Sequence, residues 1–267
     1  MNKPLYRALI FEVVGTLLLV FGGLSAGCVS LVYPGSYGLP VIASVWGVSL
    51  IVTIYICGGA SGAHFNPAVS IAMVLNRGFS FQTCILYILA QLIGAALAGI
   101  LMLCIFAQPI GQFEETQGIV RGTPEGLQTA RLFGCYFISE PGSETLSAAS
   151  AAAAEAVGTF ILALVVFTVT DRRNASVPTA AVPAIIGGTL FVIICLFAPM
   201  TQACFNPARD IGPRIVSMAC GWGALPLTVH GPWTFIVYSV APIIGATVGG
   251  FVSNCLFRGI CIQSDLK

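Results

Sequence analysis

The tripeptide Asn-Pro-Ala occurs twice, as Asn66-Pro67-Ala68 and as Asn206-Pro207-Ala208. Asparagine favours the N-cap of a helix, and proline its first turn, where no backbone N–H is needed. Each pair therefore reads as the start of a helix. The asparagine oxygen can cap the free N–H groups, which leaves its NH2 pointing outward as a donor. Two such donors brought together would bind the oxygen of a water or a hydroxyl and fix it as an acceptor. That interrupts any chain of donated hydrogen bonds, and two positive helix ends at one place repel cations and protons. Arg209 directly follows the second tripeptide, with Asp210 next to it. A charge in so apolar a chain is costly, so Arg209 either faces a pathway, or is a structural ion pair with Asp210, or pins a loop. Glu12 and Glu155 lie inside apolar runs. They are either proton-relay groups or acceptors for backbone N–H groups that lipid cannot satisfy. His64 has the chemistry of a metal ligand or a pH sensor. No second histidine or cysteine lies at ligand spacing, and His230 is far along the chain.

The composition fixes the surroundings of these residues. Only 8% of the 267 residues are charged, 57% are hydrophobic, and the mean hydropathy is +0.95. Ordinary soluble domains carry about 25% charged residues, so the solvent of this chain is mostly lipid. The net charge of +1 gives no hint of a nucleic-acid partner. The ten cysteines fall mostly in apolar runs, without metal-ligand spacing, and read as small buried residues. No metal, cofactor or catalytic grouping emerges, so an enzyme is not expected.

An all-α membrane protein follows. Six apolar runs, near 6–30, 40–59, 82–106, 146–170, 180–199 and 233–256, are each long enough to span a bilayer at about 20 residues per crossing. The first is read as a retained helix rather than a signal peptide. Two shorter pieces, 66–76 and 206–217, each begin at an Asn-Pro-Ala. At about 16 Å they reach half-way across, and such re-entrant helices are tolerated only where they are buried or line a cavity. The halves repeat beyond the tripeptide: Phe11-Glu12-Val13-Val14-Gly15-Thr16 matches Ala154-Glu155-Ala156-Val157-Gly158-Thr159. Each half holds three spans, so the second copy inserts upside down, as an inverted repeat. The expected organisation is one domain, 1–267, with repeats at about 6–106 and 146–256 joined by an extracytoplasmic loop, 107–145. Lys3, Arg7, Arg77, Arg172, Arg173, Arg258 and Lys267 fall on one side of this topology. Arg121 and Arg131 fall on the other, beside Glu114, Glu115, Glu125, Glu140 and Glu144. The positive-inside rule then puts both termini in the cytoplasm of a plasma membrane, or of an inner membrane in a bacterium.

The paired Asn-Pro-Ala motifs, the repeated glutamates and the six spans together resemble the aquaporin and glycerol-facilitator family, the major intrinsic proteins, over nearly the whole chain. The resemblance implies a central pore with both asparagines at its midpoint. It implies that Glu12 and Glu155 support the re-entrant loops and that His64 lies beside the cytoplasmic pore mouth. Arg209 takes the place of the arginine at the narrowest point of the pore. Trp46, Ile194 and Ala203 fall on the other three filter positions, by alignment through Pro199 and Asn206. Trp46, Asp210 and Arg214 are similar to the glycerol-conducting branch, the aquaglyceroporins. Bacterial glycerol facilitators carry Gly and Phe where this chain has Ile194 and Ala203, and the set Trp, Ile, Ala, Arg looks more like plant nodulin-26-like channels. Two further departures are Tyr238, closer to water-channel habit, and Gln202, where the family generally has Gly. A bulky amide at 202 would narrow the pore or add a hydrogen-bond site.

Trp46 and Ile194 would form two apolar walls opposite Arg209 and backbone carbonyls. A polyol can lay its CH edge on such walls and its hydroxyls on the polar side, whereas water gains nothing from them. A passive channel for glycerol and similar small neutral solutes, with some water, is therefore expected. The alternatives are a mainly water-selective channel, or one for urea, lactic acid, a metalloid acid or ammonia. A secondary transporter coupled through Glu12 and Glu155 is a further alternative, and so is a structural membrane protein with a closed pore. The family resemblance also implies a homotetramer in the lipid bilayer. The small-residue faces Gly94–Gly99 and Gly245–Gly250 suit close helix packing, either within or between subunits.

Overall fold

The computed structural model describes residues 5–137 and 146–257. The expectations for Lys3, Glu140, Glu144, Arg258 and Lys267 lie outside the described residues, as does Cys261 among the ten cysteines. Within them the protein is all helix and turn. The first half holds α1 (Leu5–Val32), α2 (Leu39–Ser61), α3 (Pro67–Arg77) and α4 (Phe81–Gln117). The second holds α5 (Ala148–Val169), α6 (Val182–Thr201), α7 (Pro207–Ser217) and α8 (Trp233–Phe257). Six of these are long and apolar enough to cross a membrane, and α3 and α7 are the two short ones, of 11 residues each. The long helices are apolar all round, which suits a lipid-facing bundle. Val48, Ile56, Ile93, Leu196 and Phe251 are exposed on its outside. A π-helical turn at Ile236–Val240 precedes Pro242 in α8. Proline removes a backbone donor there, and a widened turn accommodates the loss.

The halves pack by the same rule. Helix α1 lies on α2 and α4, as α5 lies on α6 and α8, and α2 meets α6 between them. Each short helix packs on the last long helix of the other half, α3 on α8 and α7 on α4. The small residues allow these close approaches. Gly94 lies over the backbone of Val13 and Gly99 over Pro213, while Gly245 lies over Ala156 and Gly249 over Phe160. Both small-residue faces are thus used inside the subunit.

The third span differs from the sequence reading. It runs on from 106, through Pro109, to Gln117, so the first eleven residues assigned to the loop are helix. Polar side chains hold that extension after the apolar signal fades. Both carboxylate oxygens of Glu114 accept from Arg121 Nε at 2.9 Å, and Thr129 Oγ1 donates to Glu114 at 2.7 Å. The Arg121 guanidinium lies 3.9 Å from the centroid of Trp222. At the opposite end of the bundle, Asp171 takes Arg77 at 3.1 Å and Arg173 at 2.7 Å, tying the end of α3 to the end of α5. Hydrogen bonds from Arg173 chiefly, aided by the nearby Arg77 charge, hold the Asp171 carboxyl down at about 2.

Two glycines seat the re-entrant loops. The Phe65 ring lies where a Cβ on Gly15 would be, and the Phe205 ring where a Cβ on Gly158 would be. Both rings are buried. Gly158→Ala is expected to destabilise the protein by about 1–3 kcal/mol through overpacking, lowering the melting temperature in detergent by roughly 3–10 °C. Intrinsic tryptophan fluorescence on heating measures it, and an unchanged midpoint would mean that Phe205 is not seated on α5 in solution.

Candidate functional site

Both asparagines are N-caps. Asn66 Oδ1 accepts from Ala68 N at 2.8 Å, and Asn206 Oδ1 accepts from Ala208 N at 3.0 Å and Arg209 N at 3.3 Å. Pro67 and Ala68, like Pro207 and Ala208, form the buried first turns behind them. The two N-termini meet. Asn66 Nδ2 donates to Phe205 O at 2.8 Å, and Asn206 Nδ2 donates to Phe65 O at 2.8 Å. One N–H of each amide is spent on this cross-tie, leaving the other as a donor.

The loops before the caps are strained in the same way. Among the described residues, the non-glycine positions with positive φ are Ala63 and Phe65 in one loop, and Gln202, Ala203 and Phe205 in the other. Such left-handed residues cost about 1–2 kcal/mol each and persist only where the surroundings hold them. The buried glutamates do the holding. Glu12 accepts from His64 N at 3.0 Å, Phe65 N at 2.8 Å and Gln91 Nε2 at 2.8 Å. Glu155 accepts from Cys204 N at 2.9 Å, Phe205 N at 2.7 Å and the Thr201 hydroxyl at 2.6 Å. A second set of braces had no sequence signal. Tyr87 donates to Ser61 O and Tyr238 to Thr201 O, at 2.8 and 3.2 Å. Tyr238 is therefore a buried support and is not among the residues that line the cavities described next.

Among the described residues, two adjoining cavities lie within the bundle. The inner one, of about 290 Å3, is lined by Asn66, Asn206, His64, Ala203, Cys204 and apolar residues of α2, α5 and α6. The outer one, of about 440 Å3, is lined by Gln202, Gln128, Arg131 and Leu132 among others. Trp46, Ile194 and Arg209 line both. These three side chains thus stand where the cavities adjoin, and Ala203 lies just inside. The Arg209 guanidinium sits 5.0 Å from the Trp46 ring centroid. Its Nη1 is buried without a hydrogen-bond partner among the described residues. His64 lines the inner cavity, with Nδ1 3.1 Å from Ser70 Oγ and its ring edge-on to Phe79 and Tyr87.

Asp210 does not pair with Arg209. Its carboxylate turns away from the cavities to Arg214, at 2.6 Å, and accepts from Cys135 N at 2.7 Å. Arg214 also donates to Cys135 O at 2.6 Å and to Pro226 O. This i,i+4 pair clamps the buried loop Leu132–Phe137 against α7, a role that Asp210 and Arg214 did not reveal by spacing alone. Gln202 joins the clamp, accepting from Tyr136 N at 2.8 Å. His230 stacks on Phe137 with centroids 3.8 Å apart. Burial, then the Arg214 charge, holds it down at about 4, so it is neutral at ordinary pH. The fold also brings Cys135, Cys204 and Asp210 within 4.8 Å of one another, which the cysteine spacing did not show. Asp210 is already committed to Arg214 and Cys135 N, so the group is two buried thiols beside a satisfied carboxylate.

With this geometry in place, comparison with known proteins is specific. The family model described as major intrinsic protein matches residues 1–253. The chain is 38% identical over 252 residues to a glycerol uptake facilitator protein of Pseudomonas aeruginosa, covering 93% of this chain and 88% of that one. It is 35% identical over 260 residues to a propanediol uptake facilitator of Citrobacter freundii, covering 96% and 94%. Among solved structures, the aquaglyceroporin of Plasmodium falciparum superimposes with a TM-score of 0.80 at 25% identity, over 99% of this chain and 100% of that one.

Proposed function

The chain belongs to the major intrinsic protein family, and on that premise we propose how it selects its solute. It is a passive channel for glycerol and similar small solutes, not an enzyme. Trp46, Ile194, Ala203 and Arg209 form its selectivity filter. The observation that carries this reading is that Trp46, Ile194 and Arg209 line both cavities, that the Arg209 guanidinium lies 5.0 Å from the Trp46 ring centroid, and that its Nη1 has no hydrogen-bond partner among the described residues. A three-carbon polyol, glycerol or a propanediol, presents hydroxyl oxygens to Arg209 and its CH edge to Trp46 and Ile194. Further in, the free N–H groups of Asn66 and Asn206 take the next oxygen. Two helix N-termini, each worth about half a positive charge, repel cations there.

The same reading places the protein in a plasma membrane, the inner one in a bacterium, with both termini cytoplasmic. Arg7, Arg77, Arg172 and Arg173 then lie inside and Arg121 and Arg131 outside. We take the assembly to be a homotetramer with one pore per subunit, which rests on the family alone.

Stopped-flow light scattering on proteoliposomes tests the filter. Under a glycerol gradient, rapid re-swelling is expected, about tenfold or more above empty vesicles at matched lipid, because bare hydrocarbon leaves the hydroxyls unpaired, at a cost of roughly 2–7 kcal/mol each, whereas the filter offers them partners. Rapid water flux under an impermeant osmolyte with glycerol excluded would reject the polyol filter in favour of a water-selective one.

A further inference from the structure

We infer that Gln202 is a specificity-determining residue that sets the width of the outer cavity, and so which polyols reach the filter, by tying the loop Arg131–Phe137 to the filter backbone. The inference rests on the pore reading above and adds a residue to it. The repeat itself shows that Gln202 is out of place. Asn206 and Asn66 are 140 residues apart, and the residue 140 before Gln202 is Gly62. Both cap the preceding long helix in the left-handed region, Gly62 at φ +91° and Gln202 at φ +61°. A side chain is disfavoured in that conformation, and glycine is its natural occupant. In the first half the position is glycine. In the second a long amide stands there against the local preference, so something outside the turn holds it.

The amide spans the loop at both ends. Its Oε1 accepts from Tyr136 N at 2.8 Å, and its Nε2 donates to Arg131 O at a longer 3.4 Å. From the other side, Asp210 and Arg214 take the N–H and C=O of Cys135. The loop is thereby gripped between α7 and the turn that carries Ala203. Residues of the gripped loop are cavity wall: Arg131 and Leu132 line the outer cavity together with Gln202, Trp46, Ile194 and Arg209. Withdrawing the amide both removes bulk from the cavity and frees the wall opposite. It leaves Tyr136 N and Arg131 O to be hydrated, a change that widens the approach to the filter without altering any filter side chain.

The test separates tying from bulk. Wild type, Gln202→Gly and Gln202→Met are reconstituted, and permeabilities to water, glycerol, erythritol and ribitol are measured by light scattering. Amide hydrogen exchange across 131–137 is read in parallel. Methionine keeps the volume and loses both hydrogen bonds, and glycine suits the left-handed turn, so neither variant is expected to unfold. A fitted apolar pocket discriminates one added carbon by about 10–200-fold, and the roomier, partly polar outer cavity should discriminate less. In both variants the erythritol-to-glycerol ratio should rise by about fivefold or more, with water permeability unchanged within about twofold, and exchange at Tyr136 should accelerate. Unchanged ratios in both variants overturn the inference. A rise in Gln202→Gly alone, with exchange unchanged in Gln202→Met, also overturns it, since Gln202 then acts as bulk. A wild-type protein that passes no glycerol strikes the pore reading instead, and the exchange data still decide whether the amide ties the loop.

Discussion

Replacing Arg209 with valine should let cations and protons leak through a pore that still conducts glycerol. Among the described residues, Arg209 is the one charge that lines both cavities, and its nearest charged neighbour in sequence is committed elsewhere, Asp210 to Arg214. The substitution therefore leaves no orphaned carboxylate, and the fold has no reason to fail. The lost repulsion is large. A unit charge about 4 Å from a passing cation is worth about 4 kcal/mol at an effective dielectric of about 20, which corresponds to roughly two to three orders of magnitude in flux. The helix ends behind Arg209 retain part of the barrier, so the lower end of that range is the expected result. Potassium and proton leak into dye-loaded proteoliposomes reads it directly. Leak at the wild-type level, with glycerol flux intact, would remove Arg209 from the constriction.

The second large effect belongs to Glu155. In Glu155→Ala three donors lose their acceptor at once: Thr201 Oγ1, Cys204 N and Phe205 N. Each unsatisfied buried donor costs about 1–3 kcal/mol, so the strained loop Gln202–Phe205 loses on the order of 3–9 kcal/mol of support. Folded yield and glycerol flux should both collapse. Glu155→Gln separates bracing from proton relay. The amide retains one acceptor oxygen, for Thr201 and Cys204, and loses the acceptor for Phe205 N. A brace predicts a less stable protein that still conducts glycerol, with no dependence on a pH gradient. A relay predicts a stable protein whose transport is abolished. Gln91 adds weight to the brace, because the corresponding Glu12 is held by two loop N–H groups and by the Gln91 amide, all three donating to it.

Much of the site was legible from the chain alone because its determinants are local. An asparagine that caps a helix bonds a backbone two residues ahead, and a proline in the first turn needs no partner, so the starts of α3 and α7 follow from the dipeptide. Eleven residues cannot cross a bilayer, so the two short helices had to be re-entrant. Glu12 and Glu155 stood out because carboxylates are costly in an apolar span, and Arg209 for the same reason. The inverted repeat followed from three spans per half. The end of α4 was misplaced because hydropathy reports where apolar side chains stop, whereas Glu114 and its polar partners decide where the helix stops.

What only the tertiary structure decided is which polar groups meet. The sequence left Arg209 free to pair with its neighbour Asp210, yet Asp210 pairs with Arg214 and with the backbone of a loop some 75 residues away. Tyr238, which looked like a clue to the solute, is a buried brace. Gln202, which reads in the sequence as an obstruction or an added hydrogen-bond site, bonds the backbone of Tyr136 and Arg131. The small-residue faces, ambiguous between subunits, pack within one. In each case the local code states that a group must be satisfied, because an unpaired buried polar atom is costly. The identity of its partner depends on how the helices pack across the whole chain, and no local pattern contains that.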